Sequence, residues 1–472
     1  MSVDQQDKRL VGRREFLKWA GVGTMATVLA ACAPTPTATP EPVEPADEPE
    51  DTGEEVPAAE VVTIRVSAWG DVPDKNINDR TAAALKEVYP NIEMVPETYV
   101  GGYYEKVKVN FAGGESADLV YAEGFQWAPF ADVVLALDDF IAADDVAWAW
   151  PDVMNYDNLT TWRGSRYLSV VDTGSMPMFY NKKIFDMAGL DYPTADWTYS
   201  DFKELVPKLT FEEDGVQYYG FDLTGGAWLG SYVWWVPWLR MDGAFEFDTL
   251  LEPKEAKWTQ TEIIEAMQFV CYDTIAEGYA PSPSTVQGGG VSLATDRVAM
   301  GIQGPWYLPQ LQGPDAISDD GVDFDVVMPP KGSAGSFPDN EIQGHMIAAE
   351  SEHQEEAWQA MKFWLGEEVA EITAEEGRMC GTPENTEKYW VPIATEKFKF
   401  ENADAFVEAQ SIGQSPMIGG AGANFTVLMG AGGPLAAAKD AMYGLQKTAQ
   451  EALEEANPLI QKLLDDYWAE QG

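Results

Sequence analysis

Histidine, cysteine and basic side chains are all scarce in this chain. Two histidines in 472 residues, His345 and His353, leave little material for a Ser–His nucleophile or a histidine-rich zinc site. Three cysteines are too few for a disulfide scaffold. Lys and Arg total 30 against 78 Asp and Glu, a formal net charge of −48. The isoelectric point is near 4.1. A chain this acidic does not grip a phosphate backbone, so nucleic acid is excluded as a partner. The sequence has no Gly-x-Ser-x-Gly elbow, P-loop, His-Glu-x-x-His or Cys-x-x-Cys. No cofactor or metal is therefore expected. Glycoside hydrolysis escapes this exclusion, because it needs only two carboxylates roughly 5 to 10 Å apart. Among 78 acidic residues some such pair arises by chance, so a secreted glycan hydrolase stands as the second reading.

What is present points to a large globular protein. At 472 residues, 45% of them hydrophobic, the chain is too long for one ordinary core, and two lobes are expected. Seventeen Trp and nineteen Tyr serve packing, or carbohydrate binding through flat rings stacked on sugar C–H faces; composition does not separate the two.

Residues 1–31 read as a targeting segment to be set aside from the fold. Gly12-Arg13-Arg14-Glu15-Phe16-Leu17-Lys18 resembles a twin-arginine export motif, and an apolar run from Trp19 to Ala31 follows. That run is shorter than the roughly 20 residues a membrane-spanning helix needs. Leu29-Ala30-Ala31-Cys32 resembles a lipobox, which implies cleavage before Cys32 and a lipid on its thiol. Removing the segment leaves a net charge of about −50. Residues 32–60 are rich in Pro, Thr and Glu, lack aromatic and basic side chains, and cannot bury enough apolar area to order themselves. They read as a tether holding the folded part away from a membrane.

Val62, Ile64, Val66 and Ala68 alternate with polar neighbours, the pattern of a first strand that runs into Trp69-Gly70-Asp71. Helices are expected over about 78–89 and 103–111, with strands over 92–95 and 118–122. This alternation predicts a parallel-rich α/β lobe with ligands beyond the carboxyl ends of its strands, which nominates Trp69, Asp71, Glu123 and Trp127. Further on, Thr198 and Asp201 form a capping box. Val298, Met300 and Ile302 alternate in another strand, residues 324–328 in the next, and the last long helical run is Leu435 to Leu464. Cys271 falls on an apolar helix face and Cys380 in a loop; they read as separate thiols, with a disulfide the alternative.

Two stretches carry a resemblance. In Asp172–Leu190, DTGSMPMFYNKKIFDMAGL, an extended segment follows a flexible joint and turns at Asn181, which caps a helix that ends at Gly189. In Arg297–Pro309, RVAMGIQGPWYLP, an alternating strand ends in Gly304-Pro305-Trp306. Both resemble signatures of the extracellular solute-binding proteins of family 1, the maltose-binding-protein-like sugar-binding subunits of ABC importers. The resemblance covers roughly residues 61–460. It implies a periplasmic-binding-protein type II α/β fold, with two lobes, a hinge and a ligand cleft between them. The lobes would be 61–172 with about 327–375, and 173–326 with about 376–472, hinged at Asp172–Gly174, Val326–Met328 and near Ala370–Glu376.

Trp306 would present its indole to a sugar, and Asp172 and Ser175 would lie at the crossing. Of the cluster Trp228, Trp234, Trp235 and Trp238, at least one of the first three is expected to face the cleft, with Trp235 the nominated candidate. His345 stands beside half of a Gly-Gly turn, and Arg378 lies in a Gly-x-x-Pro-like loop; both are candidate ligand residues. The implied function is capture of a sugar or oligosaccharide and its delivery to ABC permease subunits, by a lipid-anchored chain outside the cytoplasm that is expected to act as a monomer. The same fold with a non-sugar ligand is a further alternative.

Overall fold

The computed structural model describes residues 60–146, 149–150, 153, 156–222, 232–287, 290–313, 316–415 and 425–471. The export segment, the tether, Cys32 and Trp228 lie outside the described residues. The elements that build the site are labelled here in chain order. The first are β1 (Val62–Trp69), α1 (Val72–Val88), β2 (Ile92–Tyr99), α2 (Tyr103–Gly113) and β3 (Leu119–Glu123). Next come β4 (Asp172–Met176), β5 (Met178–Asn181), α3 (Lys182–Ala188), α4 (Tyr199–Lys208), β6 (Met300–Ile302) and β7 (Phe324–Val327). The last are β8 (Asp339–Ile347), α5 (Gln354–Trp364), α6 (Glu367–Glu375), β9 (Met379–Cys380), α7 (Pro434–Tyr443) and α8 (Ala449–Gln471).

The chain forms two α/β lobes, each with its own sheet. The larger sheet has the order β9-β4-β8-β3-β1-β2, parallel at β2-β1-β3 and antiparallel from β3 through β8 and β4 to β9. The smaller sheet is β6-β5-β7, antiparallel throughout. The chain leaves the first sheet at Met176 and enters the second at Met178, with Pro177 alone between them. It returns through residues 328–338 between β7 and β8. The segment expected to be a flexible joint, Asp172–Gly174, is the first part of β4, and the chain passes between the sheets after it, at Pro177. Cys380 likewise lies in β9 instead of a loop.

Local signals explain most element ends. Asn181 Oδ1 accepts from the Ile184 N–H at 3.2 Å, and Gly189 ends α3 at φ +66°. Thr198 and Asp201 cap α4 reciprocally. Helix α1 begins six residues earlier than its apolar periodicity indicates. Asp71 and Asp74 form a capping box there, and Pro73 in the first turn gives up only an N–H that has no helical partner. Strand β2 runs on to Tyr99 through Pro96, which an edge strand tolerates. The C-terminal run is two helices, parted where Leu445 takes φ +54°.

Indoles fill both lobes. Trp127, Trp235, Trp238, Trp258, Trp358 and Trp390 are among the largest fully buried side chains. Trp235, Trp238 and Trp258 pack with α7 and α8, while Trp358 and Trp364 lie under the first sheet with Ile64, Val66 and Leu119. Cys271 and Cys380 are both buried and both free, in different core clusters. Arg240 and Glu246 form an ion pair with no exposed side-chain surface, and Arg240 Nη1 also donates to the Ser415 carbonyl at 2.9 Å. Among the described residues no helix is long and apolar enough to cross a membrane.

Candidate functional site

Strand register sets the site. In β8, Gln343 pairs with Glu123 on one side and Asp172 on the other, Glu341 pairs with Gly174, and Asp339 with Met176. Paired residues of an antiparallel ladder share a face, and so do residues two apart along a strand. Glu123, Asp172, Gln343, Glu341 and Asp339 therefore form one polar row, close to the crossing between lobes. Trp306 lies over the same face: a Cβ on Gly174 would sit 2.6 Å from its Cζ3, and one on Gly304 would be closer still. The ring thus lies against two glycines, Gly174 of β4 and Gly304 in the turn after β6; it is half-buried and packs against the two core clusters that flank the smaller sheet.

The row is enclosed and only partly satisfied. Tyr121 Oη donates to Asp172 Oδ2 at 3.0 Å; Tyr104 Oη donates to Glu123 Oε2 at 3.2 Å, and Gln126 Nε2 donates to the same oxygen. Both oxygens of the fully buried Asp339, and the Oε1 atoms of Gln343 and Gln303, have no partner among the described residues. Burial pushes Glu123 and Asp172 up to about 7 against these hydrogen bonds. Burial also drives Glu341 and Asp339 well above the usual carboxylate range, helped at Glu341 by the neighbouring charge of Asp339. Unsatisfied buried acceptors are costly, so a row of them calls for donors from a ligand. No group of three or more His, Cys, Asp or Glu among the described residues is placed to hold a metal ion. A separate cavity of about 410 Å³ beside Val171, Trp364 and Thr382 shares no residue with the row.

The structure puts Glu123, Asp172 and Trp306 on one sheet face, and His345 continues that face into the core. Trp127 is fully buried and donates its indole N–H to the Leu159 carbonyl at 2.6 Å; it supports the core behind β3 and offers no open ring. Ser175 points to the opposite face of β4 from the row, where its hydroxyl donates to the Phe406 carbonyl at 2.9 Å. Trp235 is fully buried and donates to Tyr443 Oη at 3.2 Å, and Trp234 donates to the Ile302 carbonyl at 2.8 Å. Neither of them provides a free platform; Trp228 lies outside the described residues.

His345 is within β8, not beside a turn. Its ring is fully buried between Tyr121 and Trp364, and burial lowers its pKa to about 3. Trp69 ends β1 as a partly buried ring with no partner for its N–H among the described residues. Asp71 caps α1 and pairs with Arg378 at 2.9 Å, and Arg378 also holds Asp74 at 2.9 Å. Burial works to lower the Arg378 pKa, but Asp74 and Asp71 outweigh it and raise it. Arg378 is thus committed to locking β9 onto the start of α1.

Asp339, Glu341, Gln343 and Gln303 escape a reading of the sequence from glycine turns. A signal was present: Asp339, Glu341, Gln343 and His345 alternate over seven residues, a period-2 polar face. Its burial depends on partners far away in the chain.

The two sheets, the crossing at Pro177 and the row beneath an indole define a class of protein. Residues 74–371 match the profile of the bacterial extracellular solute-binding proteins, and the chain belongs to that family. Its fold is that of the maltose-binding-protein-like type II periplasmic binding proteins. Similar solved structures include an ABC substrate-binding protein of Listeria monocytogenes in complex with cycloalternan, at 19% identity and TM-score 0.70, covering 86% of this chain and 100% of that one. The cyclic α-maltosyl-1,6-maltose binding protein of Arthrobacter globiformis is similar at 16% identity and TM-score 0.68, covering 86% and 100%. The maltose/maltodextrin-binding domain of Bdellovibrio bacteriovorus bound to maltotriose is similar at 17% identity and TM-score 0.62, covering 86% and 100%. A comparison with curated proteins returned no match.

Proposed function

We propose that this chain is the substrate-binding lipoprotein of an ABC importer and captures a sugar or oligosaccharide between its lobes. The observation that carries this reading is the half-buried Trp306 ring beside a row of acceptors of which Asp339, Gln343 and Gln303 lack a donor among the described residues. Sugar hydroxyls donate to Glu123, Asp172, Asp339 and Glu341, and the amides of Gln343 and Gln303 complete the set. Bonds to charged acceptors are the strong ones in an enclosed cleft. The apolar face of a pyranose rests on the indole. The family membership and the oligosaccharide-binding neighbours support a carbohydrate ligand.

The lobes are 61–172 with about 327–375 and 173–326 with about 376–472, with the first boundary moved a few residues to Pro177. They close about Pro177 and residues 328–338, and the closed form docks on membrane permease subunits. The protein acts as a monomer outside the cytoplasm. It leaves the cytoplasm folded by the twin-arginine route and is held at the membrane by lipid on Cys32. It has no catalytic step: the ligand leaves unchanged.

A thermal-shift screen against a sugar panel tests the reading, because a ligand bound only by the folded state raises Tm. Sugars that raise Tm and are recovered intact support binding. Recovery of shortened oligosaccharides overturns it in favour of a hydrolase. Small-angle scattering at saturating sugar should show a smaller radius of gyration, with a non-binding sugar as control.

A further inference from the structure

The row of acidic side chains divides into two pairs. Glu123 and Asp172 have tyrosine or amide donors. Glu341 and Asp339 have no hydrogen-bond donor among the described residues, yet both are buried, at 7% and 0% exposure. They are two apart on one strand face, about 7 Å along β8, and the charge of Asp339 works against ionisation of Glu341. The cations whose charge reaches the row are already engaged: Arg240 with Glu246, and Arg378 with Asp71 and Asp74. Arg240 bears on Asp339 alone, and no Lys or Arg bears on Glu341 or Glu123. The chain following Asp222 and Ser415, residues 223–231 and 416–424, contains no Lys, Arg or His.

We propose that the ligand is cationic: an amine-bearing sugar whose ammonium is held by Glu341 and Asp339 beside the Trp306 ring. This rests on the reading of the row as a sugar site and adds the charge. A neutral hydroxyl gives one donor and leaves the cost of ionising two buried carboxylates in place. An ammonium gives three donors and cancels it. By register Glu341 pairs with Gly174, the residue the Trp306 ring lies against, so the cation also sits beside an indole, a favourable aromatic neighbour for it. The unpartnered Oε1 of Gln343, two residues along the same face, accepts one of the remaining N–H or O–H groups. A bound metal ion is a poorer answer to the same charge, since no set of three ligating side chains surrounds the place among the described residues.

The test uses the full chain and matched probes: hexosamines and their oligomers, each against its N-acetyl and its hydroxyl counterpart, by calorimetry and thermal shift. The amine is expected to bind at least about tenfold tighter than either neutral counterpart. Glu341→Gln and Asp339→Asn should each shrink that ratio toward unity without lowering the Tm of the unliganded protein, which serves as the folding control. A neutral sugar that binds as well as or better than its amine overturns the charge assignment and leaves the sugar reading standing. A panel in which no sugar of either kind binds overturns both.

Discussion

Trp306 lies against the bare backbone of Gly174, so close that a Cβ at Gly174 would sit 2.6 Å from the indole Cζ3. One residue belongs to the smaller lobe's strand-end turn, the other to β4 of the larger sheet. The contact joins the two sheets where the chain crosses, and it makes the platform of the site dependent on a missing side chain.

Gly174→Ala should push the ring out of place, at a cost of about 1–3 kcal/mol typical of overpacking. It should also weaken sugar binding. The same substitution in a Trp306→Ala background should cost much less, because the clash is gone. Urea denaturation of the four proteins in a double-mutant cycle measures the coupling, and additive effects would show that the contact carries no strain. Trp306→Ala alone should weaken the ligand by roughly 2 kcal/mol.

Arg240 and Glu246 are a buried pair with no exposed side-chain surface. Arg240→Met strands the Glu246 carboxylate and should cost about 3–5 kcal/mol in chemical denaturation. Replacing both by apolar residues should recover most of that loss, although the Arg240 bonds to Gln414 and the Ser415 carbonyl are gone as well. A double variant no better than the single one would place the cost in those loop contacts.

Glu123 and Asp172 are held up near 7 by burial. Between the ordinary carboxylate range near 4 and about 7 the folded chain binds protons that the unfolded chain has released. Their contribution is therefore complete below about pH 4 and is lost as pH rises to 7. Glu123→Gln should flatten the fall in Tm between pH 4.5 and about 7.5 relative to the parent. Parallel pH profiles for the two proteins would refute the linkage.

His345 has the opposite sign. Burial lowers it to about 3, so the folded protein keeps it neutral while the unfolded chain protonates near 6.5. Its contribution is present above about pH 6.5 and is lost as pH falls toward 3. His345→Leu removes two nitrogens that have no partner among the described residues, so the acid side of its Tm profile should be flatter than the parent's.

Cys32→Ser should release the protein from the membrane or leave an uncleaved precursor. Fractionation followed by mass spectrometry of the N-terminus reads this directly. Normal processing and membrane retention of the variant would remove the lipobox reading. Arg13→Lys with Arg14→Lys should trap folded precursor in the cytoplasm, and unchanged export would point to the general secretory route.

Short-range chemistry was legible in the sequence. Asn181 and Gly189 bound α3, Thr198 and Asp201 start α4, and the alternation at Val62–Ala68 is β1, because each depends on side chains within a few positions. The two motifs and the length were enough for the family and for two lobes. Trp306 was singled out mainly by the family motif and by its place at a strand end, with Gly304-Pro305 fixing where its turn falls. What the sequence could not decide was which polar and aromatic residues face one another. Strand β8 is polar on one face at Asp339, Glu341 and Gln343, and only pairing with β3 and β4, more than 150 residues earlier in the chain, makes that face a site. Trp127, Trp235 and His345 have the chemistry of ligand residues, but burial gives them to the core; Arg378 is taken up by Asp71 and Asp74. Local propensity is set by neighbours in the chain, whereas burial and pairing are set by neighbours in space.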